Sequence, residues 1–190
     1  DSARVLVVDY RRPVDPVGGR VFAAALGAAR EVETAPVDDR TTPTEWRQLR
    51  ARADSFDLVV AAVHATPAEL RDTTVIPEFG PFVDSLTAAG TPTLAVSFGS
   101  PYVLEAFPSV PAYLIAWGGA DVSQRAAAGG LLGEVPVTGH LPVSLPPHHE
   151  VGEGLRREAV ATAHEGREPA PADGPPDAPG GPPDPHGGAP

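Results

Sequence analysis

The chain contains neither cysteine nor lysine, and each absence removes a block of chemistry. Without cysteine there are no disulfides, thiolate metal sites or cysteine nucleophiles, and the redox compartment stays undetermined. Without lysine there is no Schiff base, no P-loop lysine and no phospho-receiver lysine. All 14 basic residues are arginine, the pattern left by a GC-rich coding bias. Positive charge is scarce altogether: 25 acidic residues give a net charge of −11 and a pI near 4.8. Such a surface lacks the clustered cations that neutralise phosphates, so nucleic acid is excluded as a partner and an anionic membrane surface is disfavoured. No stretch approaches the roughly 20 apolar residues of a membrane span. The chain opens at Asp1-Ser2 and runs straight into a strand, with neither initiator methionine nor signal peptide. That beginning reads as a cut end, with something expected upstream.

The residues that are present alternate between buried strands and helices. Arg4-Val5-Leu6-Val7-Val8-Asp9, Asp57 to Val63, Thr93 to Ser97 and Ala112 to Trp117 are short apolar runs, as in strands covered on both faces. Val32 and Val37 mark a weaker strand. Between them lie helical segments at Val21 to Arg30, Thr44 to Ala53 (with Thr42 or Thr44 as N-cap), Phe79 to Ala89 closed by Gly90, and Val122 to Leu132 capped by Asp121. Tyr102 to Phe107 reads as a short helix or turn, and Leu141 to Leu145 as a last, proline-containing edge strand. The pattern predicts an α/β sandwich: a mostly parallel, flavodoxin-like sheet of about six strands with helices on both faces. Right-handed crossovers put the loops Asp9–Gly19, His64–Arg71, Phe98–Tyr102 and Gly118–Gln124 along its carboxyl edge, where ligands or partners are met. The last 25 residues, Gly166 to Pro190, hold nine prolines and six glycines without Leu, Ile, Val or Phe. Such a segment cannot bury enough surface to offset its ordering entropy. The expected division is a domain over 1–157 and a disordered Pro/Gly-rich tail over 158–190.

Most familiar catalytic motifs fail. The loop after the first strand offers only Gly18-Gly19, nine or more residues past the strand, so no dinucleotide fingerprint exists. Ser97-Phe98-Gly99-Ser100 lacks the spacing of a nucleophile elbow, which leaves Ser97 and Ser100 as strand-end and turn residues. His148-His149-Glu150 is an adjacent cluster whose side chains point apart on an extended chain, so no metal site is expected. Glycoside hydrolysis needs two carboxylates flanking the bond. Glu69, Asp72, Glu78, Glu105 and Asp121 form no recognisable pair and read as caps or solvated charges.

Several segments in order carry a resemblance. They are Leu94 to Leu104 (LAVSFGSPYVL), Ala116-Trp117-Gly118, Ser123 to Ala127 (SQRAA), Gly133 to Gly139 (GEVPVTG), Leu141 to Pro146 (LPVSLP) and Gly152-Glu153-Gly154-Leu155. Together they resemble the C-terminal, second domain of family 3 glycoside hydrolases, nearest the β-N-acetylhexosaminidase-type branch, best over Phe56 to Leu155. The resemblance implies an N-terminal barrel upstream that carries the aspartate nucleophile and, in this branch, a histidine–aspartate acid/base pair. The mechanism implied is a retaining double displacement. No residue of this chain is then catalytic, the isolated chain is expected to be inactive, and no cofactor is called for. The implied partners are the catalytic barrel and a carbohydrate substrate. The chain departs from the family at Gly139-His140, where arginine or lysine usually precedes Leu-Pro-Val, and at Gly118-Gly119-Ala120-Asp121. Candidates for the substrate cleft or barrel interface are His64, Ser97, Gly99, Tyr102, Trp117, Asp121 and Gln124. Tyr102 and Trp117 end two strands, where an aromatic face covers a barrel rim, a sugar ring or the domain's own core. His64 is a loop histidine or a substrate contact, and Gly99 is expected to hold a left-handed turn. The alternative function is a stand-alone, non-catalytic α/β binding or scaffold domain.

Overall fold

The computed structural model describes residues 3–11, 18–64 and 77–160. Loop residues Glu69 and Asp72, and the expected tail beyond Val160, lie outside the described residues. Ten elements follow in order: β1 (Arg4–Tyr10), α1 (Arg20–Gly27), β2 (Glu31–Val37), α2 (Pro43–Ala53), β3 (Leu58–Val63), α3 (Phe79–Ala88), β4 (Thr93–Ser97), a 3-10 helix (Pro101–Ala106), β5 (Tyr113–Ile115) and α4 (Asp121–Leu132). The strands form one sheet in the order β2-β1-β3-β4-β5, all neighbours parallel.

Strand alternation explains the two cores. Leu6, Val8 and Tyr10 of β1 and Val59, Ala61 and Val63 of β3 face α2 and α3, packing with Trp46, Phe79, Phe82 and Phe107. Val5 and Val7, with Val60 and Ala62, point the other way onto Phe22 and Leu26 of α1 and Ala127 and Ala128 of α4. Both faces of the central strands are therefore apolar, which a parallel sheet under helices requires. β2 is the exception because it is an edge. Glu31, Glu33 and Pro36 are exposed, and Arg52 of α2 reaches Glu33 at 2.9 Å. Charge and proline on an edge strand block further pairing.

The sheet has five strands rather than about six. Leu141 to Leu145 does not join it: Leu141 N–H donates to the Glu153 carbonyl at 2.7 Å and Leu145 N–H to the His149 carbonyl at 2.7 Å. Prolines at 142 and 146 remove two donors that a strand there would need. Residues 133–160 instead form an irregular hairpin arm, closed by paired bonds between Val137 and Arg157. The arm leaves α4 on one face of the sheet, yet Leu145, with Leu141 and Val143, packs into the core on the other face.

Two local expectations, at Asp121 and Gly99, are also corrected, while the short helix expected from Tyr102 is met within one residue at each end. Asp121 is the first residue of α4 and not its cap; Ala120 holds the N-cap position without a side-chain bond, and Asp121 lies 3.5 Å from Arg125. Tyr102 to Phe107 is a 3-10 helix begun one residue earlier, at Pro101, where the Ser100 hydroxyl accepts from Tyr102 N–H at 3.3 Å. Gly99 does not hold a left-handed turn; positive φ falls on Gly19, Gly90, Gly133, Gly152 and, among non-glycine residues, Trp117. Gly90, at φ +77, closes α3 as expected.

Candidate functional site

The sheet order reverses direction between β1 and β3, so the crevice beyond their carboxyl ends is the place where this topology binds ligands or partners. Asp9 is the penultimate residue of β1 and His64 follows β3, both pointing to the α1 face. His64 Nε2 lies 3.1 Å from Asp9 Oδ1, with the two side chains only 7% and 8% exposed. The approach is at ion-pair distance but poorly aligned, since neither atom has a hydrogen-bond partner. Arg11 adds a cation 3.8 Å from Asp9 Oδ2. On its other side the carboxylate presses on Gly19, where a Cβ would overlap it. Glycine at φ +76 therefore serves both the turn into α1 and the space for Asp9.

The His64 ring stacks on Phe98, with centroids 4.5 Å apart and planes 9° from parallel. The loop after β5 passes close by: a Cβ at Gly119 would lie 3.8 Å from His64 Nδ1 and 3.9 Å from the Phe98 carbonyl. Gln124, buried in α4, ties the same loop inward. Its Nε2 donates to the Gly119 carbonyl at 2.8 Å, and its Oε1 accepts from Phe22 N–H of α1 at 3.0 Å. That bond supplies a partner to a first-turn amide of α1, whose N-cap Gly19 has no side chain to offer. His64, Gly119 and Gln124 thus belong to one contact set, and Trp117 heads the loop they hold.

Ser97 is fully buried and bonded locally: its hydroxyl donates to the Ser100 carbonyl at 2.6 Å and accepts from Gly99 N–H at 3.3 Å. Beside it, Tyr113 donates to the Pro101 carbonyl at 2.9 Å. Burial pushes the Tyr113 phenol well above its ordinary value, against the opposing bond from Ser97. Tyr102 and Trp117 stand out from this edge, 46% and 49% exposed, and Asp121 is exposed beside them in sequence. The carboxyl edge therefore offers an aromatic face while its polar groups, Ser97 and Gln124, are consumed internally.

Glu78 and Glu105 are exposed, without a carboxylate partner. His149 is taken by Glu153 at 2.9 Å, and among the described residues no group of three His, Asp or Glu gathers to hold a metal. A cavity of about 290 Å³ opens between α1, β1 and β2, lined by Asp9, Arg11, Gly19, Arg20 and Thr34 among others. It includes none of the sequence candidates. Asp9 is the residue the candidates omit; its signal is a lone carboxylate ending an otherwise apolar strand, upstream of Gly18-Gly19.

The fold is a five-stranded parallel α/β sandwich whose carboxyl edge carries the exposed Tyr102 and Trp117. The model of the glycosyl hydrolase family 3 C-terminal domain matches residues 15–171, and the chain belongs to that family. Similar solved structures include a fungal multi-domain family 3 β-N-acetylglucosaminidase with a GCN5-related glucosamine N-acetyltransferase region: TM-score 0.64, 19% identity, 80% of this chain and 17% of that one. A family 3 β-N-acetylglucosaminidase from Paenibacillus sp. str. FPU-7 gives 0.58 and 21%, covering 72% and 26%. The exo-β-xylosidase XlnD, in complex with a xylobiose aziridine probe, gives 0.57 and 12%, covering 78% and 22%. At these identities the likeness shows the fold. The chain spans between 17% and 26% of the length of these structures. No curated protein matches it.

Proposed function

We propose that the chain is the second domain of a β-N-acetylhexosaminidase-type family 3 glycoside hydrolase, packed on a catalytic barrel whose sugar cleft it completes. The observation that carries the reading is the family match over residues 15–171. Two supports accompany it. The solved structures it resembles include two β-N-acetylglucosaminidases. The carboxyl edge projects Tyr102 and Trp117 into solvent, and half-exposed aromatics with apolar faces suit a desolvated domain contact or a sugar ring. In this reading both displacement steps belong to the barrel's nucleophile and its histidine–aspartate pair. This chain contributes packing and rim contacts and no reactive group. The proposed extent of the domain is 1–157, with 158–190 as an appended tail.

The test begins with the coding sequence upstream of Asp1. A barrel with a histidine–aspartate loop is expected there, and the uninterrupted product should turn over a chromogenic N-acetyl-β-glucosaminide while the 190-residue chain alone does not. An unrelated upstream domain or a start codon would favour the scaffold reading. Turnover by the chain alone, abolished by one substitution within it, would reject the proposal.

A further inference from the structure

Trp117 has φ +61, a conformation that costs a bulky residue energy and that persists only where its surroundings over-determine it. Its neighbours Gly118 and Gly119 are the most permissive residues available, so local sequence does not enforce the turn. The enforcement comes from both sides of it. On the N-terminal side, Ala116 N–H donates to the Ser97 carbonyl at 2.8 Å, extending the β5–β4 ladder. On the C-terminal side, the Gly119 carbonyl is held by Gln124, and Gly119 lies close to His64 Nδ1 and the Phe98 carbonyl. Between two fixed points three residues apart, the chain must turn sharply at Trp117.

We infer that His64 and Gln124 are positioning residues for Trp117: the imidazole, stacked on Phe98 and lying beside Asp9, abuts the loop at Gly119, and the glutamine amide pins the loop to α1. The backbone at Trp117 is thereby held in one conformation, which sets where the indole leaves the carboxyl edge. This rests on the proposed role of that edge only for its purpose; the mechanical claim concerns this chain alone. Asp9 and His64 explain each other in the same terms. A buried carboxylate and imidazole with imperfect hydrogen bonding cost stability that a purely structural core would not retain.

The full chain has two tryptophans, so 5-fluorotryptophan labelling gives two fluorine resonances, assigned by Trp117→Phe. Trp46 lies in the opposite core and reports the integrity of the fold. Gln124→Met keeps length and removes both amide bonds. It should move the Trp117 resonance toward that of a free indole and sharpen it, leaving the Trp46 resonance in place. His64→Ala should do the same, and His64→Phe, which restores an aromatic ring over Phe98, should return the signal. An unmoved Trp117 resonance in Gln124→Met and His64→Ala, with Trp46 intact, would overturn the inference. So would collapse of both resonances together in both variants, because the contacts would then hold the whole fold and not the loop. The outcome is independent of any barrel upstream: a missing barrel sinks the proposed function and leaves the positioning claim standing.

Discussion

Tyr113 couples one hydroxyl to the pH limits of the domain. Its phenol donates to the Pro101 carbonyl and joins β5 to the start of the 3-10 helix. Burial raises its ionisation above the ordinary value of 10.0. A folded-state value above the unfolded one means that, in alkali, the unfolded chain loses its proton first. Stability from this group is therefore complete below pH 10 and declines as pH rises past it. Tyr113→Phe keeps the ring against Phe107 and deletes both the bond and the titration. At pH 7 it should cost about 0.5–1.5 kcal/mol, the net worth of one such hydrogen bond. In urea melts repeated at increasing pH above 10, the gap between wild type and variant should narrow. A gap that stays constant would mean that the phenol is not shielded.

At the scale of elements, α2 shows how much a short motif decides. Thr42 accepts from Glu45 N–H at 3.3 Å, and the Glu45 carboxylate returns a bond to Thr42 N–H at 2.7 Å, a reciprocal capping box with Pro43 in the first turn. The Thr42 side-chain bond, with the backbone bond second, holds the Glu45 carboxyl below its ordinary value. A depressed carboxyl contributes stability above its unfolded value of 4.5 and loses it as pH falls. Thr42→Ala should lower stability by about 0.5–2 kcal/mol at pH 7. The loss should shrink in denaturant melts as pH falls below 4.5 and Glu45 gives up the anionic form that accepts the bond. A cap was legible as Thr42 or Thr44, because a cap is a contact over three residues; the structure places it at Thr42, with Glu45 completing the box. β1, β3 and β4 were legible for a similar reason: burial on both faces leaves an unbroken apolar run. β2 was faint because an edge strand carries Glu33 and Pro36 for its own protection. The supposed strand at Leu141 to Leu145 misled because its alternation serves a hairpin arm, whose partner near Glu153 is invisible to periodicity. Asp9 and His64 sit 55 positions apart in the chain and meet only through the parallel pairing of β1 with β3. No local spacing signals such a pair.

For the whole molecule, the arm of residues 133–160 is the described part that follows the last helix and lies outside the sheet. It is almost wholly exposed beyond Leu145 and is held by hydrogen bonds within itself, among them Val137 with Arg157, Leu141 with Glu153 and Gly152, and Leu145 with His149. Its one fully buried side chain is Leu145, 3% exposed, which enters the core cluster with Phe107 and Phe82 while Leu141 and Val143 pack against it partly buried. Glycines in α4 let the arm begin close to the helix, since a Cβ at Gly130 would lie 3.2 Å from Val137. A segment with few buried contacts opens at low free energy unless an anchor links it to the global fold. Leu145→Ala should therefore act twice. It should lower global stability by about 2–5 kcal/mol, as a buried leucine truncation does. It should also uncouple the arm, so that amides of Val137, Leu141, Gly152 and Arg157 lose more protection than those of β1 and β3, which fall only by the global loss. Hydrogen exchange read residue by residue separates the two effects. Uniform loss of protection across sheet and arm would make Leu145 an ordinary core residue, and unchanged arm exchange would mean that the hairpin bonds alone hold it. Selective loss would show that the arm is a strap whose attachment is set at one point, which lets residues beyond it vary without disturbing the aromatic edge on which the proposed partner contact depends.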